Sequence, residues 1–175
     1  MNSDDFKRKH MKSAEKGNDD AVQAAALEAS QHLLDTIVQP ALARCSQMFT
    51  EMGVQNDIGG NERIINPAYN TSDANINILA NQDAVASLRF KLPPKADLAY
   101  WDGLTPIVFV RRGSVLKMFV FNTPVTSENY VECFTVDETT TVDELQAFIT
   151  TVADWLFEYK SVRTQLMLEA MHKQS

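Results

Sequence analysis

The sequence predicts an α+β fold: one antiparallel sheet of four to five strands in meander order, flanked by long N-terminal and C-terminal helices. Three observations carry this. Apolar residues recur at three- and four-residue spacing near both ends of the chain. Between them they alternate, or run together, in short segments. A Gly-Ser pair separates two of those segments. The chain has 175 residues, 45% of them hydrophobic and 22% charged, which suits a single domain with a sizeable core. Residues 1–18 are polar and close on Gly17-Asn18; they read as a disordered leader, with residues 19–175 as one α+β domain.

The first helix is expected to start near Asp19-Asp20, whose carboxylates suit a helix N-terminus. Ala24, Leu27, Leu34, Val38, Ala41, Cys45, Met48 and Met52 form its apolar stripe, interrupted by Gln31. Pro40 lies inside the stripe and deletes the bond to the Thr36 carbonyl, so a kink or split is expected there. Gly53 suits a left-handed cap. Residues 53–73 read as an irregular connection, with a short extended piece at Arg63-Ile64-Ile65 as an option, and the segment 56–81 is rich in Asn.

Strands follow. Asn75-Ile76-Asn77-Ile78 alternates. Ala84, Ala86, Leu88, Phe90 and Leu92 fall on one side of the next segment, and Ser87, Arg89 and Lys91 on the other. Pro93-Pro94 stops it, and Trp101-Asp102-Gly103 reads as a turn. Pro106–Arg112 and Val115–Asn122 flank Gly113-Ser114, a two-residue hairpin signal. Both hairpin strands are apolar on both faces, so each sheet face needs a cover: a helix, or a second subunit. Tyr130–Val136 is a further strand. Thr141-Val142-Asp143-Glu144 has the form of a capping box. Leu145, Phe148, Val152, Trp155, Tyr159, Val162 and Leu166 then repeat at helical spacing. Continued to the C-terminus, that helix would span about 50 Å. The two stripes suggest helix pairing, within the chain or between copies, as readily as packing on the sheet.

Net charge is −7. The first 16 residues hold five basic and three acidic side chains, and the rest holds eleven basic and twenty acidic. So acidic a body repels a phosphate backbone, which argues against nucleic acid as the main partner. The basic N-terminal residues precede no apolar stretch, so no signal peptide is read; a cytoplasmic protein with no membrane partner is the expectation. Cys45 and Cys133 fit that compartment as reduced, buried and inert thiols.

The search for chemistry yields little. Asp73-Ala74-Asn75-Ile76-Asn77 begins like a calcium loop but has Ile78 and Ala84 where Gly and Glu are needed. Glu28 with His32, and Glu169 with His172, are helix-spaced pairs too small for a metal centre. A Cys133–His32 dyad requires the first helix to lie over the strand. No phosphate-binding glycine motif occurs, and no cofactor is implied. Asp137-Glu138 and Asp143-Glu144 suit the approach to a helix N-terminus. Arg111 and Arg112 flank the hairpin turn, and Tyr100 and Trp101 precede another turn, where aromatic anchors occur.

The expected function is therefore a non-enzymatic protein-interaction module of adaptor, chaperone or immunity type, homodimeric, with apolar surface in excess of what one small sheet covers. Candidate contact residues are Tyr100, Trp101, Arg111, Arg112, Trp155, Tyr159, Val162 and Leu166. A small-molecule binding domain with a pocket between sheet and helices is the alternative. An enzyme would need His32, Arg111 and Asp137 to meet in one cleft.

Overall fold

The computed structural model describes residues 3–63, 79, 82–93, 104–121 and 130–174, with side chains described outside 3–16 and 104–106. Expectations that fall on Asn75–Ile78, Tyr100, Trp101 and residues 64–65 lie outside these.

Helix α1 (Ser3–Leu33) runs through a π-turn (Leu34–Val38) into α2 (Gln39–Glu51). It begins at Ser3 and not near Asp19. Gly17 inside a helix costs only about 1 kcal/mol, and its Ala, Lys, Arg and Glu neighbours favour helix. Pro40 accounts for the π-turn. It falls in the first turn of α2, where an amide is dispensable, and the Gln39 N–H bonds the Leu34 carbonyl five residues back. The predicted split is thus a local widening. α2 ends as expected: Gly53 has φ 77°, and the Val54 and Gly53 amides bond the Phe49 and Thr50 carbonyls at 2.8 and 3.0 Å.

The sheet is antiparallel. Its strands are β1 (Asn56–Gly59), β2 (Glu62–Arg63), β3 (Asp83–Lys91), β4 (Leu104–Arg112), β5 (Val115–Phe121) and β6 (Tyr130–Val136). Their order is β1-β3-β4-β5-β6, with β2 also on β3. β3 to β6 form the predicted meander. The extra strands come from the connection expected to be irregular. Asn56 anchors β1 to the end of α2: it accepts from Ser46 Oγ and donates to Thr50 Oγ1 and the Val54 carbonyl. A Cβ at Gly59 would meet Ser87 Oγ and Glu62 Oε1, and those side chains would have to shift.

A register shift between Ala84 and Ala86 corrects the β3 pattern. The extra residue flips one position, so Ala84 joins the opposite face from Ala86, Leu88 and Phe90. On the first face those residues meet Ile107, Phe109, Leu116, Met118 and Val120, and the cover is the π-turn, α2 and α3 (Val142–Phe157). The second face gathers Val108, Val110, Phe119, Phe121 and Tyr130 with Leu79. The hairpin strands are therefore buried on both sides, as predicted, with Gly113 at φ 59° in the turn between them.

Thr141 caps α3 by accepting from the Glu144 amide at 3.1 Å. The reciprocal contact differs from a full capping box: the Thr141 hydroxyl approaches Glu144 Oε1 at 3.3 Å. The long C-terminal helix is not continuous. α3 stops at Phe157, and α4 (Val162–Lys173) starts anew with Ser161 accepting from the Thr164 amide. The stop has the same form as that of α2, with Tyr159 at φ 58° in the glycine position and the Lys160 amide bonding the Trp155 carbonyl at 2.8 Å. A tyrosine there gives no breaker signal in the sequence.

Candidate functional site

Two features stand outside the core, and both involve the α1–α2 helix. The first is exposed apolar surface. From Gly17 to Ala29 every residue but Ala26 is exposed, with Val22 at 68% and Leu27 at 54%. Burial begins at Ser30 and Leu33. Of the predicted stripe, Leu34, Val38, Ala41 and Cys45 are buried and Met48 is half-buried, whereas Ala24, Leu27 and Met52 are exposed. α4 likewise exposes Met167, Leu168 and Met171.

The predicted contact residues lie elsewhere. Trp155 and Val162 are buried in the main core, and Tyr159 and Leu166 pack against it half-buried. Arg112 is exposed; it donates to Gln82 Oε1, and its guanidinium stands 6.0 Å from the Phe119 ring centre. Arg111 is half-buried and clasps α1, donating to the Leu27 carbonyl at 3.2 Å, to Ser30 Oγ, and to Gln31 Oε1 at 3.2 Å. It fixes the point where the helix leaves the body.

The second feature is a cleft of about 400 Å³ beside the π-turn. The helix supplies one wall with Ala29, His32, Leu33, Thr36 and Ile37. Ser114 and Val115 come from the hairpin, and Asp137 and Glu138 from the loop before α3. His32 and Asp137 thus share one cleft, while the third residue an enzyme would need, Arg111, grips the turn just before His32. Thr36, Ile37, Ser114 and Val115 carry no motif, and only Pro40 marks this stretch of helix as special.

Asp137 is held by its own loop. Its Oδ1 accepts from the Thr139 amide at 2.9 Å and the Thr139 hydroxyl at 2.6 Å. These bonds, led by the Thr139 hydroxyl, hold its carboxyl below the ordinary value of 3.8. The stabilisation is complete above that ordinary value and is lost as pH falls through the lower folded one. Asp137→Asn is expected to lower the urea midpoint at pH 6, with the gap from wild type closing by pH 2. A gap independent of pH would show that charge plays no part.

Burial raises both thiols. Cys45 is buried, its Sγ 4.0 Å from the Gln146 carbonyl, and burial pushes the thiol up to about 11. Cys133, expected buried, is only half-buried; it donates to the Met118 carbonyl at 3.4 Å, and is raised by burial and by the Glu132 carboxylate. At pH 8 both are expected to react with a disulfide reagent at least about 100-fold more slowly than in the unfolded chain. A burst of one thiol in the native protein would contradict this. Among the described residues, no group of three or more His, Cys, Asp or Glu is placed to hold a metal, and no helix is long and apolar enough to cross a membrane.

Comparison with protein-family models, with curated proteins and with solved structures finds no match to this chain.

Proposed function

We propose that this protein is a non-enzymatic protein-interaction module whose partner is a second copy of itself, with α1 of one copy lying antiparallel along α1 of the other. The observation that carries the reading is the exposed stretch Gly17–Ala29, where Val22 and Leu27 stand in solvent. Most helix stability in proteins comes from packing an apolar face, and among the described residues nothing packs on this one. Its stability is completed by a surface from outside the chain.

The charge pattern of α1 selects the partner. Residues 3–16 carry five basic and three acidic side chains, whereas residues 17–33 carry Asp19, Asp20 and Glu28 and no Lys or Arg. Antiparallel pairing sets each basic half against an acidic half, twice over, as a two-fold interface requires. Parallel pairing sets like against like.

Sedimentation at micromolar concentration is expected to give a dimer that loosens with salt. Replacing Val22 and Leu27 together by Glu is expected to weaken it about 100-fold or more, from the apolar burial lost. A compact monomer across the micromolar range overturns the proposal.

A further inference from the structure

α1 leaves the body at one turn, and one side chain grips that turn. Arg111 donates to the Leu27 carbonyl at 3.2 Å, to Ser30 Oγ, and to Gln31 Oε1 at 3.2 Å. Ser30 is fully buried and Leu33 nearly so, while Gly17–Ala29 is exposed apart from Ala26. The three acceptors therefore sit where burial gives way to solvent. Among the described residues, no hydrogen bond from the body reaches residues 17–26.

The grip is rigid at its base. β4 is paired by β3 on one side and β5 on the other. Arg111 itself pairs with Leu116, which is fully buried. A guanidinium is a planar fork whose donors keep fixed angles to one another. Residues 27, 30 and 31 are neighbours on one helix turn. Three bonds from one fork to one turn hold the direction of the helix axis as well as its position. All three acceptors are uncharged, so the clasp works by geometry and not as an ion pair.

Direction matters because the arm is long. At 1.5 Å per residue Ser3 lies about 36 Å beyond Leu27, and a tilt of about 10° at the clasp displaces it by about 6 Å. Packed helices lie about 8–10 Å apart, so that displacement opens most of the contact. Given the antiparallel pairing of α1 proposed above, on which this rests, we propose that Arg111 is a positioning residue for self-association. It aims the exposed stretch of α1 so that two copies meet along their length. Fixing the direction in advance removes an ordering cost that association otherwise carries.

The test compares the full chain with two variants: Arg111→Ala, and Ser30→Ala combined with Gln31→Ala. The second cuts the clasp from the helix side without lowering helix propensity, and it decides alone if Arg111→Ala does not fold. Sedimentation is expected to show the dimer weakened about tenfold or more in both. The urea midpoint of the dilute monomer is expected to stay within about 0.5 M of wild type. Direction is read separately, on ¹⁵N-labelled chains that also carry Val22→Glu, which sets copies apart and leaves the clasped turn as it is. Residual dipolar couplings of amides 23–29 are expected to fit one alignment frame with those of residues 39–51 and the sheet, and to be scaled down in both variants. A dimer as tight in either variant as in wild type, or couplings that the variants leave unchanged, would overturn the role of Arg111 while the pairing stands. So would a loss of affinity matched by an equal loss of monomer stability. A monomeric wild type would overturn the pairing itself, and the role of Arg111 with it.

Discussion

Replacing Phe90 by Ala is expected to destabilise the protein by about 4 kcal/mol. Phe90 is fully buried on β3. Its ring centre lies 4.9 Å from that of Phe49 on α2 and 5.7 Å from that of Phe157 at the end of α3. Three elements therefore meet on one side chain. The cavity left by its removal is walled by a sheet and two helices and cannot collapse far. Urea denaturation should show the midpoint fall by about 2 M with the slope unchanged. A loss below about 1 kcal/mol would mean that the three rings do not form a shared core.

The second large effect separates two leucines, one on α1 and one on α2. Leu42 on α2 is fully buried, whereas Leu27 on α1 is 54% exposed. Leu42→Ala is expected to cost about 3 kcal/mol at any protein concentration. Leu27→Ala is expected to cost less than about 0.5 kcal/mol in the monomer. Any further loss should grow with protein concentration, because it belongs to the association and not to the chain. Equal losses at both sites, independent of concentration, would place Leu27 in the core and remove the basis for the proposed pairing. Periodicity puts Leu27 in the apolar stripe and leaves Leu42 out of it, the reverse of their burial.

That pair shows what the sequence could and could not disclose. Features settled by a few adjacent residues were legible: the Gly53 cap, the Gly113-Ser114 turn, the Thr141 cap, and the disturbance ahead of Pro40. So was the meander, because each strand pairs with the next in the chain. Features settled by distant partners were not. β1 exists because Asn56 finds Ser46 and Thr50 while its backbone finds β3. Ala84 changes face because one extra residue sits in the pairing with β4, which no alternation pattern records. Tyr159 ends a helix in a conformation that ordinarily calls for glycine. Burial of Trp155 and Val162 was hidden for the same reason, since an apolar stripe shows that a helix has a buried side without showing what buries it. The cleft joins Thr36, Ser114 and Asp137, whose proximity depends on the whole fold. The sequence singles out His32, Arg111, Asp137 and Glu138, and of these Arg111 serves the helix junction.

The packing of α2 against α3 also bears on how the chain is made. Arg44 bonds Asp143 at 2.8 Å across a separation of 99 residues. During synthesis, at roughly 5–20 residues per second, the greasy side of α2 leaves the ribosome several seconds before α3 exists to shield it. The nascent N-terminal half must wait in that state, in reach of chaperones and of neighbouring nascent chains. Folding of the newborn chain is therefore timed by its last fifth.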